Sequence, residues 1–169
     1  HDGIANAAEQ QAGSHPTATF TRFFSEGATS AFFDTQISLA NPESRDATVL
    51  LRFQRSDGTE RTQVLNVPAR QGRTVTVGNL PGMDAAEFST IVESDGPVLS
   101  ERVMTWDRAV RYGSHSETAV RAPSTAWYLA EGATHSGFDL FYLLQNPSAA
   151  AADVRIRYLL PTGAPLEKL

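Results

Sequence analysis

Cysteine is absent from the 169-residue sequence, and that lack removes several chemistries at once. No disulfide scaffold, thiolate nucleophile or cysteine-ligated zinc or iron–sulfur centre can be built from it. Lysine is nearly absent as well: of 14 basic residues only Lys168 is a lysine. Coding bias explains such a pattern, and so does a preference for forked surface ion pairing. Positive charge is in deficit, with 19 acids against 14 bases, a net charge of −5 and a pI near 5.3. That balance argues against nucleic acid and against an anionic membrane as partners. No apolar run approaches the roughly 18 to 20 residues that span a bilayer, so no membrane insertion is expected. His1-Asp2-Gly3-Ile4 lacks the charged and apolar regions of a secretory signal, so a chain that is mature, internal or cut from something larger is expected.

Catalytic signatures are missing too. There is no G-x-S-x-G elbow, no H-E-x-x-H, no G-x-G-x-x-G and no phosphate loop, so neither an enzyme nor a cofactor is expected. His1, His15, His115 and His135 sit in turn-like polar stretches without ligand spacing, and no D-x-[DN]-x-[DN]-G run offers a calcium loop; no metal is expected. What is present is apolar material enough for a core, 41% of residues.

It is also repeated. Phe23 to Glu60 matches Tyr128 to Pro165 at a constant offset of 105 residues and without a gap. Glu26-Gly27-Ala28-Thr29 recurs as Glu131-Gly132-Ala133-Thr134, Phe33-Asp34 as Phe138-Asp139, and Asn41-Pro42 as Asn146-Pro147. Val49, Arg52 and Gly58 recur as Val154, Arg157 and Gly163. This is the signature of a tandem duplication. A looser match sets His1 to Ala8 against His115 to Ala122. The organisation expected is residues 1–16 as the tail of a preceding repeat or a linker, 17–122 as a complete repeat, and 123–169 as the first half of another.

The complete repeat reads as strands. In Thr48 to Gln54, Val49, Leu51 and Phe53 share one face and Thr48, Arg52 and Gln54 the other. The second copy places Val154, Ile156 and Tyr158 inward and Asp153, Arg155 and Arg157 outward. Asp57-Gly58 turns the chain into Arg61–Val67. Strands are also expected at Arg73–Val77, Glu87–Glu93 and Val98–Trp106, with a loop over Asn79–Met83 followed by a helical turn. About seven short strands per repeat predict an all-β, antiparallel β-sandwich with an incomplete second copy. In Val98–Trp106 either face carries a charge inward, so Glu101 or Arg102 needs a partner, Glu26 being the candidate for Arg102. The alternative is a strand end that lets the charge reach solvent.

Phe24-Ser25-Glu26-Gly27-Ala28-Thr29, Asn41-Pro42, Val67-Pro68-Ala69-Arg70, Phe88 to Ser94 and Pro97-Val98 follow one another in an order that resembles the sensory rhodopsin transducer superfamily. Trp127-Tyr128-Leu129-Ala130-Glu131-Gly132-Ala133-Thr134 is similar to the Trp-Tyr-x-Ala-Glu-Gly-x-Thr opening of tandem repeats in secreted and cell-surface bacterial proteins. The first copy departs from that opening with Arg22-Phe23-Phe24-Ser25. The resemblance implies an antiparallel sandwich with an interaction or ligand-binding role and no known catalysis.

Glu26 and Glu131 have two readings: a ligand or partner contact at the sandwich rim, or a carboxylate that accepts bonds from backbone amides and fixes a turn. Asn41 and Asn146 read as Asx turns or as rim contacts, and the proline after Asn146 excludes glycosylation there. Trp106 and Tyr112 suit either a sugar ring or the core. Phe138, Leu144, Val154, Ile156 and Tyr158 would form an exposed apolar face on about three strands after Ala126, an assembly interface awaiting strands from another chain or from further sequence. The function expected is a non-enzymatic, structural or adhesive repeat of a bacterial extracellular or cell-surface filament, partnered by copies of itself or neighbouring repeats. The alternative is a small-molecule or carbohydrate-binding module using Glu26, Asn41, Arg102 and Trp106.

Overall fold

Alternation in Ala47–Arg55 (β4) decides the middle of the molecule: Val49, Leu51 and Phe53 are fully buried while Thr48 is exposed. The computed structural model describes residues 17–107 and 113–169. His1, His15, Tyr112 and the segment 1–16 lie outside the described residues. Around β4 the chain forms Phe20–Phe24 (β1), Ala28–Thr29 (β2), Phe33–Ala40 (β3), Glu60–Val67 (β5), Gly72–Thr76 (β6), Ala86–Ser94 (β7), Leu99–Trp106 (β8) and Gly113–Thr118 (β9). The helical turn, expected after the Asn79–Met83 loop, instead precedes it as a single 3-10 turn at Val77–Asn79.

Two antiparallel sheets result. One has the order β1-β7-β4-β5, with β2 also pairing β7; the other has the order β6-β3-β8-β9. Their inner faces meet through Phe24, Val49, Leu51, Phe53, Val67, Phe88 and Val92 on the first and Ile37 and Leu39 on the second. This is a β-sandwich, and each inward strand residue alternates with an outward one as face-to-face packing requires. Reciprocal backbone bonds of 2.9 Å between Phe23 and Val120 stitch the chain just beyond β9 to β1, so the two sheets are joined along one side. On the outer face of the first sheet, Arg52 forks between Glu60 (2.9 Å) and Glu93 (3.5 Å). Burial disfavours that charge, but the Glu60 and Glu93 carboxylates more than offset it and hold the Arg52 pKa above its ordinary value.

The β4–β5 hairpin turns on Gly58, whose φ of +80° is open to glycine at no steric cost. Asp57 accepts bonds from the Thr59 hydroxyl and amide, which pull its carboxyl pKa below the ordinary aspartate range.

Beyond residue 122 only two short strands form among the described residues, Ile156–Tyr158 (β10) and Leu166–Lys168 (β11), rather than three. Their register is that of β4 and β5 moved by 105 residues. Arg157 opposes Glu167 as Arg52 opposes Thr62, and Ile156 opposes Lys168 as Leu51 opposes Gln63. Gly163 takes φ +89° where Gly58 takes +80°. Asn146 donates to the Ala150 carbonyl and accepts from the Ser148 amide, as Asn41 does with Arg45 and Glu43. The counterparts of β1, β2 and β3 are not strands. In the first unit β7 holds β1 and β2, and β6 and β8 hold β3; among the described residues no strand pairs with residues 128–145, and Gln145 meets β4 only through its side chain, donating to Gln54 Oε1 at 3.2 Å. Asp153 and Val154, expected to belong to a strand, precede β10 and are exposed.

Candidate functional site

Between the pairs Phe24↔Thr90 and Ala28↔Glu87, three residues of the edge strand face two of β7. Ser25-Glu26-Gly27 is therefore a β-bulge, and bulges re-aim side chains. Glycine is required at position 27, because a Cβ there would lie 2.3 Å from the Phe88 ring, which is itself packed edge-on against Phe53 at 5.4 Å. The bulge turns the Glu26 carboxylate toward the opposite sheet, where the central strand β8 presents Arg102.

Arg102 lies on the inner face beside Ile37 and is only 1% exposed. Its Nη1 donates to Glu26 Oε2 at 2.8 Å and its Nη2 to Glu117 Oε2 at 3.0 Å. Glu117 is directly opposite Arg102 in the β8–β9 ladder. His115, two residues earlier on β9, has Nδ1 3.5 Å from Arg102 Nη2 and Nε2 3.4 Å from Glu26 Oε2. A neutral imidazole with its proton on Nε2 satisfies both contacts, since the guanidinium can only donate. The four side chains close a ring across the β1–β9 seam. Arg102 Nε has no partner among the described residues, and both of the carboxylate contacts that anchor the guanidinium are made through its Nη groups. Such a ring joins two sheets, and the buried cation is tolerated because two carboxylates compensate it.

The structure brings together Glu26, Arg102 and, at the margin, Trp106. The Trp106 ring lies 5.6 Å from His115, over Gly113, where a Cβ would be 2.5 Å from the indole. Glu26 is bound by a guanidinium instead of by backbone amides. Asn41 is not part of this site: it is buried in the β3–β4 connection, where its amide nitrogen donates to Arg45 O at 2.8 Å and Val67 O at 2.9 Å. Asn146 makes the corresponding local turn and Glu131 is exposed. Phe138, Leu144 and Val154 are 63%, 60% and 45% exposed, whereas Ile156 and Tyr158 are half-buried. His115 corrects the expectation for the histidines, since it belongs to a strand and to the ion cluster. Glu117 was not singled out in the sequence; with one acid in an otherwise polar stretch, only the ladder reveals it. Among the described residues no three His, Asp or Glu side chains converge as they would around a metal ion.

No protein-family model and no curated protein matches this chain. Among solved structures, the crystal structure of Thermotoga maritima 1070 is similar, with a TM-score of 0.57 at 13% identity over 62% of this chain and 96% of that one. That likeness is one of fold. An Anabaena sensory rhodopsin transducer aligns with a TM-score of 0.43 at 21% identity, over 49% of this chain and 93% of that one.

Proposed function

We propose that this protein is a non-enzymatic structural or adhesive module of an extracellular or cell-surface assembly. In it, tandem β-sandwich units complete one another with strands. The observation that carries the reading is the distribution of exposed apolar side chains. Of the fifteen large hydrophobic residues exposed among the described residues, twelve lie between Trp127 and Leu169, Tyr128 at 95% and Phe141 at 77% among them. Exposed apolar side chains concentrated in one stretch of chain mark an interaction site. The β10–β11 hairpin supports the repeat, because it has the β4–β5 register and the same glycine turn but no sheet around it.

The partner that fits is a neighbouring unit of the same kind, in a second copy of the chain or in a further repeat. It would supply strands with the patterns of β7 and β8, exchanged out of their own sandwich where the partner is a second copy, as in strand addition and domain swapping. A ligand-binding reading draws less support, since Asn41 is occupied in its own turn and both Nη atoms of Arg102 are engaged by carboxylates. Sedimentation velocity over a concentration series tests the proposal. Reversible association growing with concentration, and weakened by Phe138→Ser with Leu144→Ser, is expected. A single folded monomer at all concentrations would overturn it.

A further inference from the structure

Glu131 follows Glu26 by the repeat offset of 105 residues, and each is followed by Gly-Ala-Thr. The charge of Glu26 is met by Arg102, carried on the inner face of β8. Glu131 is exposed and makes no ion pair among the described residues. On the β10–β11 hairpin, Arg157 is already committed to Glu167 at 2.6 Å. We propose that the unit covering the apolar surface of residues 127–158 brings an arginine on a β8-like strand and delivers it to Glu131. This inference rests on the repeat reading above and specifies its partner.

The register says where that strand belongs. In the first unit Ile91 of β7 stands between Phe23 of β1 and Arg52 of β4. The residues 105 positions on are Tyr128 and Arg157. A β7-like strand seated between them would lie against the Tyr128 ring as Ile91 lies against the half-buried Phe23, and the Asp95–Val98 turn carries the chain from β7 directly into β8 on the opposite sheet. There β8 pairs with β3 along its whole length. The counterpart of β3, Phe138 to Gln145, has no such strand pairing among the described residues and exposes Phe138 and Leu144, which share the face that Ile37 and Leu39 turn inward in β3. Two strands joined as β7 and β8 are would therefore cover Phe138 and Leu144 from one sheet while lying against Tyr128 in the other. Covering it without an arginine would desolvate Glu131 with nothing to compensate it, so charge as well as shape selects the partner.

The experiment titrates the full chain with a peptide of its own sequence Ala86–Trp106, which contains β7 and β8, and reads affinity by calorimetry. Saturable binding is expected. Arg102→Ala in the peptide should weaken it roughly thirtyfold or more, as should Glu131→Gln in the chain, with little further loss when both are combined. Circular dichroism of the Glu131→Gln chain, whose altered residue is exposed, should be unchanged. Equal affinity of the two peptides would overturn the arginine delivery while leaving strand completion standing. Failure of both peptides to bind would overturn the repeat reading and this inference together.

Discussion

Glu26→Ala combined with Glu117→Ala should destabilise the sandwich by about 3 kcal/mol, measured as a lower midpoint of urea denaturation. Removing both carboxylates leaves a guanidinium of 1% exposure with no counter-charge, and stranding a buried charge costs roughly 3–5 kcal/mol. The lower end applies because the Glu117 side chain is 40% exposed, so solvent already screens its share of the pair. Taking away the guanidinium together with both carboxylates should cost far less. Arg102→Met with Glu26→Gln and Glu117→Gln fills the same inner-face position without a charge, and is expected within about 1 kcal/mol of the parent or above it. If the double carboxylate variant were as stable as the parent, the ring would not be what joins β8 to the bulge. If the triple variant collapsed, the ring would be contributing more than charge compensation.

Phe88→Ala should cost about 3–5 kcal/mol, because the ring is 5% exposed and packs edge-on against Phe53 in the middle of the core. Its coupling to Gly27 is the informative part. Gly27→Ala alone places a methyl 2.3 Å from the Phe88 ring, so one of them must move, and such overpacking costs roughly 1–3 kcal/mol. In the Phe88→Ala background the obstructing ring is gone, and Gly27→Ala should then cost close to nothing. A double-mutant cycle by denaturant unfolding measures this non-additivity directly. Additive costs would mean that glycine is needed at the bulge for its backbone and not for the close approach of Phe88.

Several parts of this architecture are legible in the sequence. β4 announces itself because Val49, Leu51 and Phe53 alternate with Thr48, Arg52 and Gln54, and a half-buried strand has period two. Arg102 was legible as a problem: its strand cannot turn either face inward without a charge, and Glu26 was the partner named for it. The bulge at Ser25-Glu26-Gly27 was not legible, because it exists only as a mismatch in count against Phe88 and Ser89 on a strand sixty residues away. Nor was β9. Gly113-Ser114-His115-Ser116-Glu117-Thr118 has no apolar alternation, and its strand character comes from pairing with β8 along Glu101–Trp106. His115 and Glu117 were accordingly hidden with it. Residues 128–145 show the converse case. They carry Glu-Gly-Ala-Thr and Phe-Asp in common with the first unit and lead into the same Asn-Pro Asx turn at Asn146, yet they form no strands. Local sequence specifies turns, while strands need neighbours to bond to.

The measurement closest to the central claim is amide hydrogen exchange across a dilution series of the 169-residue chain. If neighbouring units cover the apolar surface, amides of Tyr128 to Tyr142 and of β10 become protected as concentration rises, while β3, β4, β7 and β8 exchange at the same slow rate throughout. Protection of Tyr128 to Tyr142 already complete in the most dilute sample would contradict the account, as would exposure of those amides at every concentration.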